Sequence, residues 1–261
     1  MKKKLIVGII CICIVGIIYS IWYNSRTGTT WNGEKYYIFG DYYCFLENGE
    51  ATLIRKYKNE DETDVIIPSK IGKYPVVGLG GYTRGFLKTI YGIFEESTIK
   101  SVVIPEGITT IERRAFASSD IREVILPKTL REMGDTAFSR CEQLRKVEYN
   151  IGIEKVEEFT FSNCKFLTEV YLSESIVTIE RSAFSQCRAL EEIKLPQSLR
   201  RIEERAFSRC ESLRRIEIGE NTTDIADNAF ERCDNLTIYG KAGSYAESYA
   251  KEQNIPFEIL E

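Results

Sequence analysis

The sequence predicts an α/β repeat fold: a solenoid of stacked units, each a strand, a turn and a short helix, with the strands forming one parallel sheet. Three observations carry this. Cys141, Cys164, Cys187, Cys210 and Cys233 stand 23 residues apart, and Phe138, Phe161, Phe184, Phe207 and Phe230 each stand three earlier. Apolar–polar alternation keeps the same time: LRKVEYN, LTEVYLS, LEEIKLP and LRRIEIG begin at Leu144, Leu167, Leu190 and Leu213. That alternation is the mark of a strand. Ile202, Ala206, Phe207 and Cys210 fall on one arc of a helix, which predicts a short helical turn facing inward. No unit alone buries its apolar face, and stacking buries all of them together.

The elements follow in chain order. Residues 1–4, MKKK, read as a cytoplasmic tail. Residues 5–23, LIVGIICICIVGIIYSIWY, are expected to form a transmembrane signal anchor. As a helix they span about 28 Å, one hydrocarbon core. Trp22 and Tyr23 stand where an aromatic belt sits. The run is long for the apolar part of a cleaved signal peptide, and no small-residue cleavage site follows. Ile10 and Ile12 precede Cys11 and Cys13, where a lipoprotein signal needs a small residue. Residues 24–33, NSRTGTTWNG, read as a linker.

Residues 34–63 are expected to be a β-hairpin cap, because Asn48-Gly49 lies between two short apolar runs. The repeats occupy 64–240. IKSVVIP at Ile99 and IREVILP at Ile121 extend the strand pattern, and Phe116 and Phe94 extend the phenylalanine clock at steps of 22. Pro105, Pro127, Pro196 and Gly219 end strands. Residues 241–261 are the C-terminal cap, with a helix over 244–253 and a short strand. Ser244 with Glu247 three on is a capping-box signature. Tyr245, Ala246, Tyr249 and Ala250 would share the inward face, Asn254 and Pro256 stop the helix, and PFEIL would join the sheet edge.

LEEIKLPQSLRRIEERAFSRC resembles the 23-residue leucine-rich repeat of the BspA-like, treponemal type: L-x-x-I-x-L-P, then L-x-x-I, then A-F-x-x-C. The likeness covers about residues 64–240. Departures are local. Phe116 is followed by Ser118 and Ser119 with no cysteine, Asn150 and Ser173 replace the proline, and GLGGYTRGFLKTIYG distorts the first unit. The resemblance implies a leucine-rich-repeat solenoid, and a family whose members are often cell-surface proteins, some of them adhesins for host matrix proteins such as fibronectin and fibrinogen.

Composition narrows the chemistry. The chain has no histidine, which removes the commonest general base, histidine-dependent hydrolysis and every histidine-containing zinc site. Net charge is −4, and without Lys2, Lys3 and Lys4 the chain carries 32 basic and 39 acidic side chains, so nothing points to nucleic acid. One cysteine per 23 residues matches no zinc spacing, and on an apolar arc beside phenylalanine it reads as a buried thiol. Arginine pairs such as Arg200–Arg201 and Arg214–Arg215 interleave with Glu203, Glu204, Glu211 and Glu217 as a self-compensating solvated face. No catalytic residue, metal or cofactor is expected.

The outward strand positions form two rows. One reads Ser101, Glu123, Lys146, Glu169, Glu192 and Arg215. The other reads Val103, Ile125, Glu148, Tyr171, Lys194 and Glu217. Lys146 is expected between Glu123 and Glu169. The second row is the candidate partner-binding face, because Val103, Ile125 and Tyr171 set apolar side chains in a polar surround. Ordinary strand propensity explains the same residues without a partner. The expected function is a non-catalytic cell-surface module that binds a protein or glycan on this face, an adhesin among the options. The alternative is an envelope-internal scaffold or partner subunit for another protein of the same cell. The linker favours the latter, reaching only ~34 Å when extended.

Overall fold

A computed structural model describes residues 27–29, 35–39, 42–56, 63–84, 89–149 and 152–260. The expected tail at 1–4 and membrane anchor at 5–23 lie outside the described residues. Among those described, no helix is long and apolar enough to cross a membrane.

Strands β1 (Thr27–Thr29), β2 (Lys35–Phe39), β3 (Tyr42–Glu47) and β4 (Glu50–Lys56) form an antiparallel meander. Strand β1 lies inside the segment read as a linker. Asn48 and Gly49 join β3 to β4 with φ of 49° and 85°, the left-handed pair that a tight hairpin turn requires. Next come β5 (Asp64–Ile66), β6 (Lys70–Ile71) and β7 (Tyr74–Leu79), then an antiparallel hairpin of β8 (Gly81–Arg84) and β9 (Thr89–Gly92). Strand β7 lies parallel to β4, with Leu79 opposite Leu53, so the meander closes this end of the stack.

From there longer and two-residue strands alternate. They are β10 (Ser101–Val103), β11 (Thr110–Ile111), β12 (Glu123–Ile125), β13 (Glu132–Met133), β14 (Lys146–Glu148) and β15 (Lys155–Val156). They continue as β16 (Glu169–Tyr171), β17 (Thr178–Ile179), β18 (Glu192–Lys194), β19 (Arg201–Ile202), β20 (Arg215–Glu217), β21 (Asp224–Ile225) and β22 (Thr237–Gly240). Equivalent residues pair in parallel between coils, as Val124 with Val147 and Ile179 with Ile202.

Among the described residues the repeats contain no helix, and this corrects the expected short helical turn. The only described helix, α1 (Tyr245–Glu252), follows the repeats. Two residues around each of the first four cysteine-bearing turns, and Arg232 alone in the last, take left-handed backbone angles. Arg140 and Gln186 have φ of 60° and 63°, and Thr136 and Ser182, four residues earlier, have 58° and 55°. That conformation ends an α-helix. The freed amides bond to the next coil instead: Phe138 N–H donates to Thr160 O at 3.0 Å, and Arg140 N–H to Ser162 O at 2.8 Å. Inter-coil bonds replace the i→i−4 bonds of a helix, so the apolar arc faces inward on consecutive turns.

The phenylalanines stack into a spine. Phe94, Phe116, Phe138, Phe161, Phe184, Phe207 and Phe230 lie ring over ring, with centroids 4.9 to 5.7 Å apart. Burying each ring contributes about 1.5–3 kcal/mol, with about 0.5–1.5 more for each stacked pair. The ladder cysteines line this spine and are buried free thiols, as is Cys44. Each thiol donates to the carbonyl of the preceding coil's phenylalanine, Cys164 to Phe138 O at 3.3 Å and Cys210 to Phe184 O at 3.2 Å. Ser119 holds the cysteine position after Phe116, is buried, and contacts the Cys141 thiol at 3.5 Å. Thr160, standing where other units have alanine, is buried with its hydroxyl bonded to Glu157 O at 2.8 Å.

Helix α1 starts at Ser244, whose side chain accepts from Glu247 N–H at 3.4 Å, while Glu247 Oε2 accepts from Gly243 N–H at 2.6 Å. Ala246, Tyr249 and Ala250 are buried, and the Tyr249 ring meets Phe230 edge-on at 6.0 Å. Tyr245 is exposed rather than inward, because the buried stripe is centred on Ala246 and Ala250. Strand β23 (Phe257–Ile259) pairs in parallel with β22 and ends the sheet.

Candidate functional site

The coil leaves one strand face open to solvent, and alternation along the longer strands decides which side chains stand on it. Registers align Ile66 with Val103, Ile125 with Glu148 and Tyr171, and Lys194 with Glu217, Tyr239 and Glu258. The six expected residues thus occupy equivalent positions of successive coils, in three registered groups: Val103 with Ile66; Ile125, Glu148 and Tyr171; and Lys194 with Glu217. Val103, Ile125 and Tyr171 are 57%, 58% and 55% exposed. Glu148 and Glu217 are half-buried by neighbouring side chains.

Two residues of this row were missed. Ile66 is 76% exposed, the barest apolar side chain beside Val103 and Ile125. Its signal was present in DVIIP, which repeats the frame of SVVIP and EVILP. Tyr239 lies opposite Glu217, in LTIYG, a frame one residue shorter between leucine and isoleucine than LRRIEIG. The row thus has two characters. Ile66, Val103 and Ile125 are aliphatic, whereas Tyr171 onward mixes rings with charges.

The charged part is self-braced. Lys146 lies between Glu123 and Glu169 in register, but its Nζ pairs with Glu148 on its own strand, at 2.7 Å. The same ammonium sits 5.5 Å from the centre of the Tyr171 ring, whose hydroxyl donates to Glu169 at 3.3 Å. The Glu148 hydrogen bond holds the Lys146 pKa above its ordinary value. Arg215 bonds Glu217 at 2.8 Å and lies 3.7 Å from the Tyr239 ring centre. Lys194 reaches Glu217 at 3.8 Å.

The ladder on this face is interrupted twice, between β10 and β12 and again between β16 and β18. Strand β16 ends one sheet and β18 begins another, although β15, β17, β19 and β21 continue past them on the second face. A concavity of about 440 Å³ opens at the second break, lined by Tyr171, Leu172, Glu192, Lys194, Arg215 and Glu217 among others. A second, of about 300 Å³, lies on the other side of Tyr171 against Glu148, Tyr149 and Leu172. Tyr171 is the ridge between them. Among the described residues no cluster of histidine, cysteine, aspartate or glutamate is arranged to hold a metal ion.

A parallel solenoid with one open, solvent-facing row is a repeat protein that carries an extended surface. Its family is the BspA type leucine-rich repeat: the chain belongs to it, matching in 6 copies over residues 89–193 and 177–240. Its shape is similar to a leucine-rich repeat protein from Eubacterium ventriosum, at 23% identity and TM-score 0.62, over 78% of this chain and 51% of that one. The chain thus spans about half of that protein. It is also similar to a leucine-rich repeat protein of T. pallidum, at 22% identity and TM-score 0.52, over 84% of this chain and 95% of that one. At these identities the likeness establishes the fold alone. No curated protein matches the chain.

Proposed function

We propose that the protein is a cell-surface binding module that recognises a protein or glycan partner on its open strand face, anchored through residues 5–23 with the repeats outside the membrane. The observation that carries this is the run of Ile66, Val103 and Ile125, exposed apolar side chains that occupy equivalent positions of successive coils and are continued by Tyr171. Exposed apolar side chains in a polar surround mark binding surfaces. Leucine-rich repeats are typically non-catalytic, which agrees with a chain that lacks histidine. Adhesion to host matrix proteins is one form this function takes.

A second reading, a scaffold within the cell's own envelope, is favoured by the position of β1. That strand begins at Thr27, so residues 24–26 alone separate the apolar run from it. The repeats would then sit close to the membrane. Full-length protein in detergent, incubated with fibronectin, with fibrinogen and with envelope extract of its own cell, tests both. Saturable binding to a matrix protein that Ile125→Glu abolishes supports the adhesin. Binding confined to envelope extract supports the scaffold, and binding indifferent to Ile125→Glu and Tyr171→Ala removes the face from either reading.

A further inference from the structure

The break between β16 and β18 has a chemistry distinct from the aliphatic end of the row. We propose that it is a subsite for an uncharged pyranose ring of a glycan, with Tyr171 as the stacking platform; this rests on the open face being a binding face. Four arguments support it.

The first is shape. The concavities of about 440 and 300 Å³ flank Tyr171, so a ligand crossing that ring enters both. A linear oligosaccharide has that form.

The second is the lining. The larger concavity presents carboxylates of Glu169, Glu174 and Glu192 beside the cations of Lys194 and Arg215. Alternating acceptors and donors suit hydroxyl groups, each of which both donates and accepts. Leu172, Leu195 and Pro196 lie beside these charged groups, and an apolar floor with polar groups at its edge suits a sugar ring, which has an apolar face and a rim of hydroxyls.

The third is order. Tyr171 is steadied by Glu169 and Lys146, and Arg215 by Glu217 and Tyr239. Ordered side chains lose little entropy on binding. Glu192 has no ion-pair partner among the described residues, and its carboxylate is open to a ligand hydroxyl.

The fourth is charge. Four carboxylates, of Glu169, Glu174, Glu192 and Glu217, face two cations. That excess repels sulfated or uronic sugars and leaves neutral ones.

The test is an array of printed neutral and anionic oligosaccharides probed with the full-length protein in detergent, followed by calorimetry with the strongest neutral trisaccharide. The expected result is binding confined to neutral glycans. Tyr171→Ala weakens it at least about tenfold, Tyr171→Trp retains it, and Glu192→Gln weakens it several-fold, with circular dichroism showing each variant folded. Lys251→Gln, on the exposed side of α1 and away from the face, leaves it unchanged. An array with no neutral binder, or only acidic ones, overturns the proposal, as does equal affinity in Tyr171→Ala. If a protein ligand is captured and lost in Ile125→Glu while the array is empty, the sugar subsite fails and the binding face stands. If neither glycan nor protein binding responds to Tyr171 or Ile125, both fail.

Discussion

The thiol of Cys187 donates a hydrogen bond to the carbonyl oxygen of Phe161, 26 positions earlier, at 3.2 Å. The bond runs from one coil to the one before it, and it explains why a buried row favours cysteine over alanine. Cys187→Ala leaves a gap beside the phenylalanine spine and removes the donor, and should cost about 1–2 kcal/mol in urea unfolding. Cys187→Ser keeps a donor, as Ser119 does in its own coil, and should cost less. Equal loss in both variants would show that only volume matters.

Thiol accessibility has an order. Cys44, Cys141, Cys164, Cys187 and Cys210 are fully covered, whereas Cys233, in the last coil, is 8% exposed. Burial pushes the Cys44 and Cys141 pKa up to about 12, so their thiolates are scarce at neutral pH. Alkylation of the folded protein, read by peptide mass, should modify Cys233 before any of the others. Early modification of Cys187 would contradict the packing.

Two carboxylates give opposite pH signatures. Glu157 is held above its ordinary pKa by burial first, with Glu180, Asp135 and Glu158 adding and Lys155 opposing. Its ionisation therefore opposes folding, and the penalty appears as pH rises through its ordinary value towards the raised one. Glu157→Gln should raise the melting temperature near neutral pH and leave it unchanged in acid. Glu106 is held below its ordinary pKa, chiefly by the Lys128 backbone N–H, bonded at 3.1 Å. Its contribution is present above the ordinary value and fades as pH falls through the lowered one. Glu106→Gln should lower the neutral-pH melting temperature, with the difference closing in acid. Melting curves across pH check both signs.

Gly134 is fixed by close approach rather than by its turn. A Cβ there would meet the backbone of Arg113 and Glu112 in the preceding coil. Gly134→Ala should cost at least about 2 kcal/mol, since backbone cannot yield as a side chain can. A change below about 0.5 kcal/mol in chemical denaturation would show that the coils separate freely.

Ile125→Glu should leave stability within about 0.5 kcal/mol of the parent, because an exposed strand residue is replaced by another exposed one. A larger loss would mean that Ile125 serves packing and that strand propensity alone explains its place on the face.

The repeat and its register were legible because burial imposes identity: each coil needs a phenylalanine over the last one, and one position fixes the frame for all. The turn was misread for a related reason. Ile202, Ala206, Phe207 and Cys210 point inward whether the segment is helical or turned, so apolar spacing does not separate the two. What separates them is the left-handed backbone at positions such as Arg140 and Gln186, held by ordinary residues and not by the glycine that would have marked it. The outward row was legible by alternation. Ile66 was lost although DVIIP repeats the local frame, because it stands 37 residues before Val103, whereas Val103 stands 22 before Ile125. The break beside Tyr171 was invisible, since Leu167 and Leu190 keep the 23-residue step across it.

The surface ion pairs share the arithmetic of the core. Arg181 reaches Glu158, Arg214 reaches Glu191 and Lys165 reaches Glu142, each across 23 positions. Within the stack a coil's charges answer to its own residues and to the coils on either side. A gene that gains or loses one whole coil in mid-stack hands each neighbour a surface of the kind it already had. The tract is therefore inherited as a count as well as a sequence, and unequal recombination can change its reach by about 4.8 Å per coil without redesigning either end.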